Sequence, residues 1–330
     1  MFADDVPCPC GSGVAVAACL CKDRNFVPPQ VPTLPPPPST KLTLDHCYTS
    51  VTRDCLPLLT GEHFLSRTVF EFLSKKGKAV GISNHPWQKD KRRIEPIGIS
   101  SLTTKVLCKR HNSALSPLDK FARRFLEAYG EAKTYHLSTP SGNLHRLFNK
   151  YDLERWMLKV LCGICAGVYS RVESPLDHWV PPKQWLSILF GKKRMPSGCG
   201  LYLRKKPLGF PRPESSIYVN RIFRQAYYYR GQTRVLAISP TLPRSTVGLD
   251  MTVFGSTFTL FMDPPKQPHD LVYRPRTLMF TAHKNLSNAA YIHLGWDELP
   301  PTFAGYIVHE RRVSDQEGNS WIDRQGKGRK

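Results

Sequence analysis

Apolar residues recur at helical spacing in three stretches of the chain. In residues 64–73 they return every three or four positions, which predicts a short helix. A second helix is predicted over residues 117–129, because Ser116 can cap a helix and Pro117 suits its first turn. A third helix, more strongly apolar, is predicted from about residue 152 to residue 169.

After Trp185 the pattern changes to short runs of aromatic and β-branched residues, separated by proline and glycine. Such runs are typical of strands joined by turns. We predict strands within residues 218–223, 233–239, 251–262 and 291–294. Helices followed by strands indicate an α+β fold with a β-rich C-terminal part.

Composition divides the chain into five segments. Residues 1–25 contain four of the ten cysteines, and residues 26–40 contain seven prolines, which favour an extended, semi-rigid spacer. Residues 41–148 concentrate cysteine, histidine and basic residues, and residues 149–310 hold the third helix and the β-rich domain, whose role the sequence does not indicate. Residues 311–330 are polar and basic, which predicts a frayed tail.

Charge gives the first indication of a partner. Lys and Arg total 47 against 26 Asp and Glu, a formal net charge of +21. Such an excess attracts polyanions, and nucleic acid is the expected partner ahead of an anionic membrane surface. A soluble protein that happens to be basic is the plainer alternative.

We expect the protein to be cytoplasmic and to have no membrane partner. Its longest apolar stretch, residues 157–168, is shorter than the roughly 18–20 residues that span a bilayer and contains Lys159. Asp4 and Asp5 near the start do not resemble a secretion signal. In a reducing compartment, ten cysteines favour metal ligation over disulfides.

The first cysteine group is compact. Cys8 and Cys10 are followed after eight residues by Cys19 and Cys21, a set of four thiols suited to tetrahedral zinc. Residues 7–21, with the letters CPCGSG, resemble a SEC-C zinc knuckle, although Leu20 splits the closing cysteine pair. The resemblance implies an adaptor that contacts protein or nucleic acid and performs no chemistry, because a closed zinc site has no open coordination position.

A second group supplies another four ligands. Cys47, Cys55, Cys108 and His111 form a Cys₃His set, and the last two have the two-residue spacing common in zinc sites. His46 is an alternative ligand beside Cys47. By contrast, Cys162 and Cys165 lie in the apolar third helix and are interpreted as a buried structural pair.

The letters around the second group resemble an HNH endonuclease module. Thr60-Gly61-Glu62-His63 stands between the two ligand pairs, and Asn112 follows His111, so the resemblance covers about residues 42–120. It implies that Glu62 and Asn112 hold Mg²⁺ or Mn²⁺ and that His63 is the general base for phosphodiester hydrolysis. Thr103 stands where the family has its middle asparagine.

The resemblance completes the predicted architecture: a small N-terminal zinc knuckle, a central zinc-stabilised ββα-metal-like module with helices, and a C-terminal β-rich domain. Basic residues around the central module are candidates for gripping phosphates. They are Lys89, Lys91, Arg92, Arg93, Lys105, Lys109 and Arg110.

Two functions are therefore carried forward. The first is a metal-dependent nuclease, with DNA as the expected substrate; the second is a non-catalytic zinc-bearing adaptor that binds nucleic acid or protein. Convergence of Glu62, His63 and Asn112 on one cavity favours the nuclease. A Glu62 that points to solvent, or a His63 that donates into the core, favours the adaptor.

Overall fold

The computed structural model describes fifteen segments of the chain. They are residues 3–21, 26–34, 40–63, 65–73, 79–82, 95–135, 142–172, 179–204, 221–228, 231–237, 246–254, 256–265, 270–281, 289–295 and 305–309. Within them the fold is mixed α+β, as the sequence predicts. None of the helices in these segments combines the length and apolar character needed to cross a bilayer.

The central module has the order strand, strand, helix. Strand β1, Leu59–His63, pairs antiparallel with β4, Thr103–Cys108, and helix α2, Lys109–Thr134, follows β4 directly. Between the two strands lie helix α1, Arg67–Leu73, and the hairpin of β2, Ala79–Ile82, and β3, Glu95–Gly98. This arrangement places the end of β4 and the start of α2 beside β1.

The predicted start of the second helix at residue 117 is wrong, because α2 begins at Lys109 and contains Pro117 in its interior. Proline has no amide hydrogen, so the carbonyl of Ser113, four residues earlier, lacks its usual partner. The Ser116 hydroxyl donates to that carbonyl at 3.0 Å instead. Ser116 therefore compensates for Pro117 inside the helix and is not its N-cap.

Helix α3, Lys150–Val172, is the centre of the core. Nearly every described side chain from Lys150 to Ala166 is buried, and Cys162 and Cys165 are among them, as expected of a structural pair. The helix packs on α2, on β4 and on the short helix α4, Lys183–Leu189. A single hydrophobic core thus joins the central module to the C-terminal half.

Two larger sheets complete the fold. The first is antiparallel, with strand order β11-β6-β10-β9-β8-β7. Its strands are β6 Gly200–Arg204, β7 Arg221–Tyr228, β8 Gly231–Ala237, β9 Thr246–Val253, β10 Ser256–Phe261 and β11 Leu271–Tyr273. The single strand predicted over residues 251–262 is a hairpin, which turns at Phe254 with φ of 48°.

The second sheet is mixed, with strand order β14-β12-β13-β5. Its strands are β5 Leu144–Asn149, β12 Thr277–Thr281, β13 Ala290–Gly295 and β14 Gly305–His309. Because β5 pairs with β13, a strand from the segment 41–148 completes a sheet of the segment 149–310. The two segments are built as one body in this structure.

The described part of the proline-rich segment lies along α3. The Val31 amide donates to the Asp152 carboxylate at 3.0 Å, and the Arg155 guanidinium donates to the Val31 carbonyl at 2.9 Å. Thr33 is buried beside them. Residues 26–34 therefore contact α3, whereas residues 35–39 of the predicted spacer lie outside the described residues.

Candidate metal centres and the strand that carries Glu62 and His63

The N-terminal cysteines form a four-thiol cluster. The sulfurs of Cys8, Cys10, Cys19 and Cys21 all lie within 4.8 Å of one another. The Cys10 and Cys19 sulfurs are 3.5 Å apart, close to the roughly 3.8 Å edge of a tetrahedron with zinc–sulfur bonds of about 2.3 Å. Gly11 and Gly13 have φ of 74° and 82°, which permits the tight turn between the ligand pairs. The donor set therefore fits zinc.

The thiols of this cluster ionise unequally. Burial opposes ionisation of Cys19, but hydrogen bonds, that of the Ser12 hydroxyl at 3.3 Å foremost, lower its pKa to about 6. Burial raises the pKa of Cys8 to about 11. Zinc binding would require the remaining thiols to release their protons, so the affinity of the cluster should increase with pH.

The knuckle, residues 3–21, docks onto the edge of the mixed sheet. The Leu147 amide of β5 donates to the Pro9 carbonyl at 2.7 Å, and the Leu147 side chain packs against the cysteine cluster. From α2, the Arg124 guanidinium donates to the Cys10 carbonyl at 2.7 Å. The knuckle is thus an integral part of the fold in this structure and is not held at a distance from it.

The central cluster is also four-membered and entirely buried. It consists of Cys47, Cys55, Cys108 and His111, with ligand atoms within 4.8 Å of one another. The distances from His111 Nδ1 to the sulfurs of Cys108, Cys47 and Cys55 are 3.0, 3.7 and 3.9 Å. They bracket the roughly 3.5 Å sulfur–nitrogen edge of a zinc tetrahedron. This Cys₃His set fits zinc, while His46 is exposed and outside it.

Hydrogen bonds orient His111 for metal binding. The Thr52 hydroxyl donates to the Thr49 carbonyl at 2.9 Å, so its oxygen accepts the hydrogen on His111 Nε2 at 3.1 Å. That bond leaves Nδ1 without a hydrogen and directed at the three sulfurs. An outer hydrogen bond of this kind is the usual means of fixing the tautomer of a metal-binding histidine.

The thiols of the central cluster also interact strongly with one another. A hydrogen bond from the Cys47 thiol, with a further one from the His111 backbone amide, lowers the pKa of Cys108 to about 3. The Cys47 sulfur contacts the Thr49 hydroxyl at 3.0 Å and the Cys108 amide at 3.4 Å. Burial raises the pKa of Cys55 to about 11. One thiolate thus forms readily, and a bound zinc ion would stabilise the other two.

Glu62 lies inside the protein, next to a lysine. Its carboxylate is 2.6 Å from the Lys159 ammonium group, which is also 2.6 Å from the Asp119 carboxylate. Burial raises the pKa of Glu62, against the opposing effect of Lys159. The Ser66 hydroxyl donates to Asp119 at 2.5 Å, and Trp156 Nε1 donates to Ser66 at 2.9 Å. The network ties β1 to α2 and α3.

His63 belongs to a different environment. Adjacent strand residues point to opposite faces, and the His63 Nε2 hydrogen is donated to the Ile99 carbonyl at 3.0 Å. Its ring meets Phe70 edge-on at 6.3 Å, and partial burial lowers its pKa. Asn112 uses its amide nitrogen to donate to the Thr60 hydroxyl at 2.9 Å.

The three residues predicted to be catalytic therefore have separate partners. Glu62 is bound to Lys159, His63 to a backbone carbonyl, and Asn112 to the side chain of Thr60. Within the described segments, only the two cysteine-containing clusters bring three or more potential metal ligands together. Glu62 belongs to neither of these clusters.

The basic residues predicted to contact nucleic acid fall into three groups. Lys105 on β4 and Lys109 at the start of α2 are exposed. Arg110 is paired with Asp54 at 2.7 Å. Lys89, Lys91, Arg92 and Arg93 lie outside the described residues.

Sequence reasoning missed the partners that decide what these side chains do. In the sequence, Lys159 is only a single charge within an apolar helix, and Asp119 and Thr52 belong to no recognisable motif. A buried charge is almost always paired, so the lone lysine could have indicated a buried carboxylate. Its partner in β1 depends on tertiary packing.

Comparisons of the chain with protein-family models, with curated proteins and with solved structures find no match. No family match therefore supports the two resemblances inferred from the motifs. The established features are the two clusters of potential zinc ligands in a mixed α+β fold.

Proposed function

We propose that this protein is a zinc-stabilised, nucleic-acid-binding protein whose strand–strand–helix module is a scaffold and does not hydrolyse its ligand. The observation that carries the proposal is the 2.6 Å contact between Glu62 and Lys159 inside the core. A carboxylate held by an ammonium group is not available to a hard divalent cation, which needs its oxygen ligands.

The energetic argument supports the same view. Lys159 is 3% exposed and is paired with both Glu62 and Asp119, so a cation at Glu62 would have to displace a buried ammonium group. Breaking a buried ion pair costs about 3–5 kcal/mol, because the remaining charge is left without a partner. The network is thus better suited to holding β1 against α3 than to exchanging cations during catalysis.

Nucleic acid is proposed as the ligand on the basis of charge. The chain carries a formal charge of +21, and Lys105 and Lys109 present exposed ammonium groups beside the central cluster. Cations that neutralise phosphates release condensed counterions, which provides affinity without requiring a particular sequence.

The experiment is a binding titration of the full chain with fluorescent DNA and RNA oligonucleotides at several salt concentrations, alongside plasmid incubation with Mg²⁺ or Mn²⁺. We expect binding that weakens steeply with salt, two zinc ions per chain and intact plasmid. Absence of binding to either nucleic acid at low salt would overturn the proposal.

A second candidate is the nuclease, and one observation favours it. The hydrogen bond from His63 Nε2 to Ile99 leaves Nδ1 as an acceptor, and the lowered pKa keeps the ring neutral near pH 7. A neutral, oriented imidazole is suited to take a proton from an attacking water. A divalent cation, if bound, would stabilise charge on the phosphate.

Plasmid nicking separates the two candidates. Metal-dependent nicking by the wild type that disappears in His63→Ala, with zinc content unchanged, would establish the nuclease and contradict the scaffold proposal. Equal behaviour of the two proteins, with DNA bound and intact, would exclude His63 as a catalytic base.

A further inference from the structure

The turn that follows α4 presents three consecutive cations to solvent. Lys192, Lys193 and Arg194 are all exposed. The amides of Lys192 and Lys193 both donate to the Ser187 carbonyl, at 2.8 and 3.1 Å, and Gly191 has φ of 73°. This is a glycine-terminated helix end, so the lysines project from a fixed backbone.

This turn lies beside the central cysteine–histidine cluster. The ring of Phe190, the residue after α4, is 5.7 Å from the ring of the ligand His111. Lys109 stands two residues before His111, and Lys192 stands two residues after Phe190. The exposed lysines at the start of α2 and after α4 are therefore each two residues from one member of this packed ring pair.

The start of α2 is itself favourable to anions. The helix is 26 residues long, and its first turn contains no acidic side chain. Peptide dipoles give a helix N-terminus partial positive charge, which adds to that of the Lys109 ammonium group, while the Lys109 amide itself donates to the Leu58 carbonyl at 2.9 Å. Arg110 beside it is paired with Asp54 and so contributes less net charge.

Further cations lie beneath the turn. The Arg194 guanidinium carbon is 4.5 Å from the centre of the Tyr151 ring, and Lys150 Nζ is 4.2 Å from the same ring. Arg274 also approaches this ring, at 5.8 Å, and is paired with the buried Glu154. Contact with the face of the aromatic ring stabilises these cations.

We infer that the basic surface formed by Lys109, Lys192, Lys193 and Arg194 binds the phosphodiester backbone of a nucleic acid. The inference rests on the proposed function and assigns its binding surface. Three consecutive exposed cations on a hydrogen-bonded turn, with Lys109 two residues from the ring that packs on Phe190, suit a polyanion such as a phosphodiester backbone. The turn offers no exposed apolar side chain for insertion into a lipid surface, which membrane-surface binding ordinarily uses.

The test compares two double variants with the same change in net charge. Lys192→Ala/Lys193→Ala removes two ammonium groups from the turn, and Arg67→Ala/Lys120→Ala removes two exposed cations on α1 and α2. Binding of a fluorescent 20-nucleotide DNA, single-stranded or duplex, is measured by anisotropy between 50 and 200 mM salt. Circular dichroism and zinc content verify that both variants are folded.

We expect the turn variant to bind duplex about tenfold or more weakly, with a log–log salt slope smaller by about 2, since each phosphate contact contributes roughly 0.9. The control variant should change affinity less than twofold. Equal losses in both variants would overturn the inference, since binding would then follow net charge alone.

The remaining outcomes are also distinguishable. A wild type that binds no nucleic acid contradicts the proposed function, and the inferred surface with it. Preferential binding to vesicles containing anionic lipid, lost in the turn variant, would assign the same surface to a membrane and overturn the nucleic-acid inference. If binding is lost only when Lys105 is replaced, the proposed function stands, but the binding surface lies at Lys105 and the inference about the turn is wrong.

Discussion

Lys159 enters the core from an apolar face of α3 and ends between two carboxylates. Its ammonium group lies 2.6 Å from both Glu62 and Asp119. Burial alone lowers the pKa of a lysine, but here the two carboxylates raise it, so Lys159 is charged inside the protein. One long side chain thereby connects β1, α2 and α3.

Replacing this lysine tests the network. Lys159→Met should lower the free energy of unfolding by about 3–5 kcal/mol, because the buried Glu62 and the partly buried Asp119 lose their shared counter-charge. Denaturant unfolding measures the change, and adding Glu62→Gln and Asp119→Asn to the variant should recover part of it. An unaltered denaturant midpoint would show that the ion pair does not contribute to the stability of the fold. Glu62 would then be available to a cation.

Thr52 orients His111 of the central cluster, although it is not itself one of the four potential ligands. Thr52→Val removes the acceptor of the His111 Nε2 hydrogen, so the ring loses the bond that fixes its tautomer. Loss of such an outer bond typically weakens metal affinity about 10–100-fold. Competition with a chromophoric chelator measures this, with Thr134→Val at the far end of α2 as control. Identical zinc release from both variants would contradict the role of Thr52.

At the scale of elements, α2 shows where sequence patterns mislead. Pro117 is compatible with a helix start, and Ser116 precedes it, so the local signal predicts a boundary. The apolar stripe of α2 instead begins earlier, and the buried residues His111, Ala114 and Leu115 anchor two further turns in the core. Burial of that face outweighs the cost of the proline, and the Ser116 hydroxyl donates to the Ser113 carbonyl that the proline leaves without an amide partner.

Pro117→Ala should therefore stabilise the protein. The substitution restores an amide that can donate to the Ser113 carbonyl and removes the ring from the helix interior, where proline is about 3 kcal/mol less favourable than alanine. We expect the free energy of unfolding to rise by roughly 1–3 kcal/mol in a denaturant titration. Ser116→Ala is the matched control and should lower it slightly. A less stable Pro117→Ala would mean that packing of the ring exceeds its backbone penalty.

The sequence allowed the fold class and the membership of the two clusters of potential zinc ligands to be predicted, because the residues of each ligand pair are close together in the chain. The hairpin of β9 and β10 was missed, although Gly255 interrupts the apolar run, since both strands are equally β-forming. The partners of Glu62 and His63 were beyond sequence reasoning. Lys159 and Ile99 are distant in the chain and meet these residues only through packing.

At the scale of the whole molecule, the knuckle closes an exposed edge. Strand β5 is the outer strand of the mixed sheet, and an uncovered edge is a template for pairing with another chain. The Pro9 carbonyl accepts the Leu147 amide of that strand, and the cysteine cluster covers the Leu147 side chain. Folding of the knuckle around zinc would therefore protect the β5 edge from self-association.

The double variant Cys19→Ser/Cys21→Ser tests this role. Because a four-ligand site does not persist with two ligands, zinc content should fall from two ions per chain to one, with the central cluster still loaded. The uncovered β5 edge should then promote association, seen as a mass that increases with protein concentration in light scattering. Leu20→Ser, which changes an exposed residue between the same two cysteines, should retain both zinc ions and a constant mass.

If the double variant loses one zinc ion yet keeps a concentration-independent mass, the knuckle does not protect the edge. Loss of both zinc ions would instead show that the two clusters fold as one cooperative unit through the contacts of β5 and α2.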